Sequence, residues 1–577
     1  MKATAITMAL CSRIFLRDLG RCGPVATAGL LVREHMKLRI VARRASTSNG
    51  GIGRVESGSG RIHRSGGEET IEAVFVFHRH GDRTPGKSLV ADEFAEEEAL
   101  FWQTKIPPSD RSYHDMLSER FPVVRLGPSD KQDNANNNHN RSSTLASSSS
   151  SSSFLFKETL GGNESYGFLT WKGMHQMYHN GVAMADRYRH DHTHFFQDHW
   201  DIKAFSTNYL RTVKSCQTFL DGLLSNNSRN SVRCADRKKN DSVLLDYKQP
   251  THYESIDLEE YRKTNKTSDS SSSSMIEIKV RDGKEETLNA FDRSPELMKD
   301  LMRDVVATPD FIEKDTRAAP LKAQLFDFIP GLSRYSSHFG KSSPSAINWI
   351  DAADHFVCRS SHSLPVTRFC AHLEYHDTTP SSAEEQFESL GRETLSHLLS
   401  RFRSYYMNPS LLAEMAGPAL DEIRLEMKQV VETTNGYSNS GGGDDGANEY
   451  INNNSKSNIG KKPFRVYSCH DVTLLGILYA MKDRFLSEDT DRFRSLSSRW
   501  PSYATCLTFE LVKLKAKEKG NDDTFVVKLY LNEAPIPKFR SLPVSIVAAP
   551  YTEPTEAIDL ADFNKLIDEL NGGRLSL

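Results

Sequence analysis

Two short runs near opposite ends of the chain share one pattern of polar and apolar positions. Residues 73–77 (A-V-F-V-F) and 464–468 (F-R-V-Y-S) each have the length and the residue types of a buried β-strand. Each run is followed by a short polar segment, and after the second run the apolar residues 472–478 (V-T-L-L-G-I-L) predict a buried helix. Strands that end in sharp turns bring polar side chains to the carboxyl edge of an α/β sheet, where ligands bind.

Other apolar patterns predict a helical insertion and a late hairpin. Apolar residues recur with helical spacing over 297–312 and 383–415. Residues 507–511 and 524–531 predict two strands joined by a charged turn. We therefore expect an α/β fold with a central, mainly parallel sheet flanked by helices, into which a mainly helical cap is inserted.

Segments rich in Ser, Asn, Lys or Gly interrupt these patterns and are predicted to be disordered surface insertions. The predicted organisation is a leader at 1–66, a first core part at 67–275 with insertions near 128–153 and 225–275, a helical cap at 276–433, a linker at 434–461 and a second core part at 462–577.

Composition excludes some functions and favours none. The formal net charge of the 577 residues is -3, so the sequence has no basic excess of the kind that nucleic-acid binding needs. No run of eighteen or more apolar residues occurs, and a membrane-spanning helix is therefore not predicted.

The segment R-H-G-D-R-T-P at 79–85 carries the strongest chemical signal. The guanidinium groups of Arg79 and Arg83 match phosphate oxygens and stay charged at any working pH. His80, between them, offers an imidazole nitrogen that can attack phosphorus and form a covalent phosphohistidine. We expect Gly81 to permit a tight turn after the strand. The motif predicts an active site for phosphate esters that needs no metal and no cofactor.

The second predicted strand ends at C-H-D, residues 469–471, and supplies the groups that the first motif lacks. The alkoxide of a phosphate monoester leaves poorly without a proton, and Asp471 is placed to donate one. At a crowded anionic site such a carboxylic acid can hold its proton well above pH 4. His470 can donate a hydrogen bond to the same phosphate.

These two motifs resemble those of the histidine acid phosphatase family. The resemblance implies the phosphoglycerate-mutase-like acid-phosphatase fold, with His80 as nucleophile and Asp471 as proton donor. It also implies that Arg79, Arg83, His470 and a third arginine bind phosphate. The stretch at 205–215 looks like the family's R-S-T-x-x-x-R-x-x-x-S, which places the third arginine at Arg211. Phe205 stands where the family pattern begins with arginine.

Further segments are similar to the lysophosphatidic acid phosphatases among mitochondrial acid phosphatases. They are F-K-E-T-L-G-G at 156–162, Y-G-F-L-T-W-K-G-M-H-Q-M-Y at 166–178 and H-D-V-T at 470–473. The similarity implies a lysophospholipid as the small-molecule phosphate ester. An inositol polyphosphate phosphatase of the phytase type is the alternative, and a non-catalytic phosphate-binding scaffold is the alternative of another class.

The first 66 residues predict a targeting segment. Eight arginines and only two acidic residues precede Glu56, which is typical of a mitochondrial transit peptide. A secretory signal is the alternative, although its apolar stretch, 5–11, is short.

Two further groups of residues are compatible with structural roles. Six cysteines spread through the body of the chain can be free thiols or form three bridges. The cluster from His190 to His199 could bind a metal, but a solvated helix end is the favoured interpretation because the expected mechanism uses no metal.

Overall fold

The computed structural model describes the parts of the chain that form the folded body and the site. The described residues are 69–107, 112–126, 159–189, 196–225, 275–332, 347–362, 380–439, 460–481, 500–516, 523–532, 540–541 and 557–572. The predictions for the leader, for the insertion near 128–153 and for most of the 225–275 and 434–461 segments lie outside these residues.

A single nine-stranded sheet forms the centre of the described structure. Its strands are β1 (Glu69–Arg79), β2 (Val123–Arg125), β3 (Trp200–Ser206), β4 (Ile278–Val280), β5 (Lys462–Cys469), β6 (Cys506–Leu514), β7 (Thr524–Asn532), β8 (Arg540–Ser541) and β9 (Ala557–Asp559).

The sheet is mixed, with a parallel half and an antiparallel half. The strand order is β2-β4-β3-β5-β1-β6-β7-β8, and β9 also pairs with β7. The five strands from β2 to β1 are parallel, whereas β6 to β9 are antiparallel to their neighbours. β6 and β7 form the predicted hairpin, with Leu507 opposite Leu531. The α/β prediction is confirmed, and the parallel arrangement holds for the half of the sheet that contains both motifs.

Helices cover both faces of this sheet and form the insertion. They are α1 (Ala95–Gln103), α2 (Ser112–Arg120), α3 (Trp171–Tyr188), α4 (Phe196–His199), α5 (Leu210–Leu223), α6 (Ala290–Arg293), α7 (Pro295–Val306), α8 (Pro309–Arg317), α9 (Ala319–Phe328), α10 (Trp349–Ser361), α11 (Pro380–Tyr406), α12 (Pro409–Asn439), α13 (Asp471–Ala480) and α14 (Leu560–Asn571).

Strand β1 is buried on both faces. Successive side chains of a strand point to opposite sides of the sheet, so each face of β1 packs in a different cluster. Val74 and Val76 pack in a cluster with α3 and α5. Phe75 and Phe77 pack on the other face in a cluster with α12, α13 and α14. Burying each of these side chains contributes roughly 1.5–3 kcal/mol of transfer free energy, so β1 is fixed firmly in the centre of the sheet.

The helical insertion has its own apolar core, and it is shorter than the predicted cap. Helices α7 to α11 bury Leu325, Phe356 and Phe402 with one another. By contrast, β4 lies inside the sheet and α12 packs onto it, although both fall within 276–433. A three-residue strand is too short to show a period, and the apolar spacing of α12 is the same whether it covers a sheet or a helix.

Helix α12 continues to Asn439, into the range predicted as a linker. Among the helices described, none combines the length and apolarity that crossing a bilayer would require.

Candidate active site

The two predicted motifs meet at one edge of the sheet because their strands are parallel neighbours. Strands β1 and β5 pair in register, with Arg79 beside Cys469 at their carboxyl ends. The His80 amide donates to the Cys469 carbonyl at 3.2 Å, and the Ala504 amide donates to the His80 carbonyl at 3.1 Å. The turn after β1 is thus fixed by backbone bonds on both sides, and it delivers His80 next to the start of α13.

Gly81 is required by a close approach of two chain segments. Gly81 lies in the turn after β1, but its φ is not in the left-handed region, so the backbone conformation alone does not require glycine there. A Cβ at Gly81 would lie 2.4 Å from the carbonyl oxygen of Gly173 in α3. The Gly81 amide donates to Ser215 Oγ of α5 at 3.0 Å. The motif therefore packs against α3 and α5, with no room for a side chain at Gly81.

His80 is held as a neutral imidazole with one nitrogen available. Its Nδ1–H donates to the Gly81 carbonyl at 2.9 Å, which leaves the lone pair on Nε2. The side chain is buried. Burial, followed by the positive charges of Arg211, Arg79 and Arg83, holds the pKa of His80 well below its usual 6.5. A nucleophilic Nε2 is therefore present even in acidic solution.

Arg79 connects the first motif with the second. Its Nη2 lies 2.8 Å from Asp471 Oδ2, and its Nη1 donates to the Pro501 carbonyl at 2.6 Å. The guanidinium carbon lies 4.3 Å from the centre of the Tyr503 ring. The loop before β6 thereby fixes the first arginine from the side opposite the sheet.

Arg83 is paired with a residue of the helical insertion. Its two terminal nitrogens donate to the two oxygens of Asp354 in α10, at 2.7 and 3.0 Å. Nη1 also donates to the Thr84 carbonyl at 2.9 Å. Burial alone would lower the pKa of Arg83, but Asp354, together with Tyr503 and Cys358, raises it well above its usual range.

Arg211 lies on the first turn of α5, close enough to Arg83 to be affected by its positive charge. It lies over the ring of Tyr209, 4.6 Å from the ring centre, and its Nη2 is 3.4 Å from Nδ1 of His470. Burial and the charge of Arg83 lower the pKa of Arg211 to about 10. In the described part of the chain it forms no ion pair with a carboxylate, so its charge is available to an anion.

His470 lies between the nucleophile and the third arginine. Its ring centre is 5.8 Å from that of His80, and its Nε2 is 3.1 Å from Thr207 Oγ1. Burial and Arg211 hold the pKa of His470 well below 6.5, although Asp471 acts in the other direction. The lowered pKa favours the neutral form of His470, which contacts Thr207 and Arg211.

Asp471 begins α13 and is ionised in this structure. Its Oδ2 accepts from Trp500 Nε1 at 2.9 Å in addition to its contact with Arg79. Its Oδ1 accepts from the Val472 amide at 2.9 Å. Burial would raise the pKa of Asp471, but Arg79, Trp500 and His470 together lower it below 3.8. The expected rise of this pKa applies to a site that holds an anion, whereas among the protein's own groups the charge next to Asp471 is that of Arg79.

The structure brings all six residues predicted from the two motifs and the third stretch into one cluster. Sequence reasoning missed Asp354, Trp500 and Tyr503, which contact Arg83, Asp471 and Arg79 respectively. Each is a single residue outside the motifs, and no spacing in the sequence marks it.

Phe205, which replaces an arginine of the family pattern, is a packing residue. Its ring stacks on Tyr467 of β5 with the centres 5.3 Å apart, and the guanidinium of Arg281 lies 4.4 Å above it. Among the described residues, no hydrogen bond or ring contact joins Phe205 to the cluster around His80.

Four of the six body cysteines are buried free thiols, so the alternative of three bridges is wrong. They are Cys216, Cys358, Cys469 and Cys506. Cys234 and Cys370 lie outside the described residues.

Most of the histidine cluster predicted at 190–199 also lies outside the described residues. His199 is described, and it contacts Trp200 edge-on. Within the ranges described, no group of three or more His, Cys, Asp or Glu side chains is arranged to hold a metal ion.

A histidine set among three arginines at the carboxyl edge of parallel strands, opposite an aspartate, defines a phosphate-ester site of the histidine-nucleophile class. Residues 70–532 match the family model of the histidine phosphatase superfamily (branch 2). The chain belongs to this superfamily. Its membership supports the interpretation of the protein as a phosphatase, that is, a hydrolase of phosphate esters. No curated protein sequence matches the chain.

Solved structures similar to this chain share little sequence with it. The phytase of Citrobacter braakii is 12% identical, with 88% of this chain and 100% of that chain covered and a TM-score of 0.40. The phytase of Hafnia alvei in complex with myo-inositol hexakis sulphate is 12% identical, with 88% and 99% covered and a TM-score of 0.41. A multiple inositol polyphosphate phosphatase of Bifidobacterium longum in complex with inositol hexasulfate is 12% identical, with 89% and 96% covered and a TM-score of 0.43.

Proposed function

We propose that this protein is an acid phosphatase that hydrolyses phosphate monoesters through a phosphohistidine at His80. One observation carries the proposal: the buried Nε–H groups of Arg79, Arg83 and Arg211 have no hydrogen-bond partner among the described residues. Arg189 and Arg424 share this feature, but only the first three surround His80 closely enough to depress its pKa. A tetrahedral anion next to His80 would supply the missing acceptors.

In the first half-reaction, Nε2 of His80 attacks phosphorus and the bond from phosphorus to the ester oxygen breaks. The three arginines stabilise the charge on the transferring oxygens. Asp471 gives its proton to the departing oxygen, so that an alcohol leaves rather than an alkoxide.

In the second half-reaction, water attacks the phosphohistidine and releases orthophosphate. Asp471, now a carboxylate, accepts a proton from this water, and Nε2 of His80 recovers its lone pair as the P–N bond breaks. The proton on Asp471 then passes to the orthophosphate, which leaves as its monoanion, and His80 and Asp471 return to a neutral imidazole and a carboxylate.

The electrostatics of the site support activity below neutral pH. A histidine of ordinary pKa would be largely protonated at pH 5 and could not attack, whereas the lowered pKa of His80 extends its neutral, nucleophilic form to more acidic solution. The proton that Asp471 needs can arrive with the substrate, because a phosphate monoester is a monoanion below its second pKa of about 6. Once phosphate charge offsets Arg79, the pKa of Asp471 rises and the proton can move to it.

For the substrate we propose a lysophospholipid, with one phosphate per molecule. The support is the similarity to lysophosphatidic acid phosphatases and the charge around the first motif. Three neighbouring cations are matched by carboxylates: Arg83 by Asp354, Lys87 by Asp351 and Arg359 by Glu98. Such matching leaves little attraction for the additional phosphates of an inositol polyphosphate, which is the second candidate substrate.

The presence of both proposed catalytic residues argues against a scaffold without catalytic activity. Nothing in phosphate binding alone requires both an unprotonated imidazole and an opposed carboxylate, yet His80 and Asp471 are both present.

We propose a mitochondrial location for this enzyme, because residues 1–66 are rich in arginine and poor in acidic residues. Import of the full-length chain into isolated mitochondria with shortening of its N-terminus is the expected result. Translocation into microsomes instead would support the secretory alternative.

The activity is tested by hydrolysis of para-nitrophenyl phosphate at pH 5 with a metal chelator present. Turnover unaffected by the chelator is expected from a mechanism without metal. A panel of lysophosphatidate, inositol hexakisphosphate and sugar phosphates at matched concentration then tests the substrate proposal, and preference for the hexakisphosphate would contradict it.

A further inference from the structure

Helix α10 is the part of the insertion that is fixed directly onto the first motif. Asp354 binds Arg83, and three residues before it Asp351 lies 2.6 Å from Lys87 Nζ. At the end of the helix His362 Nε2 is 2.6 Å from Asp82 Oδ1. The helix therefore contacts the R-H-G-D-R-T-P segment and the residues just after it at three places.

Asp354 occupies one edge of the Arg83 guanidinium, the edge formed by Nη1 and Nη2. A guanidinium has five N–H groups. Nη1 uses its two on Thr84 O and Asp354 Oδ2, and Nη2 uses one on Asp354 Oδ1. The Nε–H and the second Nη2–H remain, and both lie on the same edge of the planar group. Nε is buried and without a partner in the described residues.

This remaining edge is a fork of two parallel donors that fits two oxygens of a phosphoryl group. Without Asp354, the long side chain of Arg83 would be free to sample several rotamers, and ordering it would cost free energy during the reaction. Asp354 is itself held, because its Oδ2 also accepts from the Gly86 amide at 2.8 Å.

We propose that Asp354 is a positioning residue for phosphoryl transfer, which fixes Arg83 so that its Nε–Nη2 edge faces the phosphoryl group at His80. This inference rests on the proposed function. Asp354 acts through Arg83 by fixing its orientation. Because Asp354 also offsets part of the charge of Arg83, it should increase the rate of phosphoryl transfer more than the affinity for the anion.

The test compares Asp354→Asn with Asp351→Asn, a matched change on the same helix that removes a pairing with Lys87 and none of the hydrogen bonds of Arg83. With para-nitrophenyl phosphate, Asp354→Asn should lower kcat by about tenfold to a hundredfold, the scale expected for a misplaced catalytic group. The inhibition constant of orthophosphate should stay within about threefold of the wild-type value or decrease, because the charge of Arg83 is no longer offset. Asp351→Asn should leave both quantities close to wild type.

A double-mutant cycle with Arg83→Lys separates positioning from a general effect on α10. Lysine has no Nε–Nη2 edge to orient, so Asp354→Asn should lower kcat by less than about threefold in that background. A wild-type kcat in Asp354→Asn, an equal loss in Asp351→Asn, or an undiminished loss in the Arg83→Lys background would each overturn the proposal.

The same series shows which claim fails. Wild-type protein and His80→Ala are measured alongside, and wild-type protein without phosphatase activity on any phosphate ester would remove the proposed function. An active wild-type protein with an unaffected Asp354→Asn variant would remove only the positioning role.

Discussion

Arg79 and Asp471 form a direct ion pair, 2.8 Å from Nη2 to Oδ2, between the end of β1 and the start of α13. The pair joins the nucleophile's motif to the proton donor, and it keeps Asp471 ionised while the site holds no phosphate. An incoming phosphate competes for Arg79 and thereby returns basicity to Asp471. In the proposed mechanism, binding of the substrate therefore allows Asp471 to hold the proton that it donates.

Asp471→Asn should distinguish substrates by their leaving groups. The amide cannot donate an acidic proton, so kcat for alkyl phosphates should fall by about 10²–10⁴-fold, the usual contribution of general acid catalysis. Aryl phosphates, whose leaving groups need less protonation, should lose far less. Steady-state kinetics with one alkyl and one aryl phosphate measure the two losses, and equal losses would contradict the role of Asp471 as acid.

Trp500→Phe tests how Asp471 is tuned. The indole Nε1–H stabilises the carboxylate, so its loss should raise the pKa of Asp471, while phenylalanine keeps the edge-on packing against Phe402. A hydrogen bond to a charged group is worth about 1.5–3 kcal/mol, which corresponds to about one to two pH units.

The measurement for Trp500→Phe is the pH profile of kcat with an alkyl phosphate. Its descending limb should move to higher pH, because the acid form of Asp471 then persists further. The matched control is the double variant with Asp471→Asn, in which this substitution should produce no shift. A profile of Trp500→Phe that coincides with the wild-type profile would refute the tuning.

The positive charge of Arg211 is expected to keep His80 reactive in acid. Removing it by Arg211→Met should raise the pKa of His80 toward 6.5, because a cation that disfavours imidazolium is gone. His80 must be unprotonated to attack, so the acid limb of kcat/KM should move to higher pH, together with a loss of affinity for phosphate. NMR titration of the imidazole provides a second reading. An unchanged acid limb would show that Arg211 does not set this pKa.

Glycine 173 is predicted to be essential for the packing of the motif. A Cβ at this position would lie 2.1 Å from the Asp82 carbonyl oxygen, so Gly173→Ala should destabilise the fold by about 1–3 kcal/mol or more. Gly476→Ala is the matched control, because its Cβ would lie 3.4 Å from Met415 Cβ in ordinary contact. Thermal or urea unfolding measures both, and equal stability of the two variants would contradict the close approach of Gly173 to Asp82.

The sequence was sufficient to predict the site but not its surroundings. His80 and Asp471 follow apolar runs that form neighbouring strands, so their meeting follows from the geometry of parallel strands. Asp354 and Trp500 reach the site through the packing of the insertion and of a loop, which no local pattern encodes.

Two features depend on contacts between segments, which a single segment of sequence does not reveal. Gly81 was assigned to a turn, but it is the approach of α3 that requires it. The pKa of Asp471 was expected to be raised by anions, but the closest charge in the structure is that of Arg79. Likewise, β4 is recognisable as a strand only from the two strands that flank it.

The most direct test of the account is to trap the phosphoenzyme. Wild-type protein and His80→Ala are mixed with labelled substrate, quenched in alkali within milliseconds and digested, and the labelled peptide is identified by mass spectrometry. The account predicts an acid-labile, alkali-stable phosphate on His80 in the wild type, and no label or turnover in His80→Ala with its unfolding temperature preserved. Full activity of His80→Ala, or a phosphate attached to another residue, would contradict it.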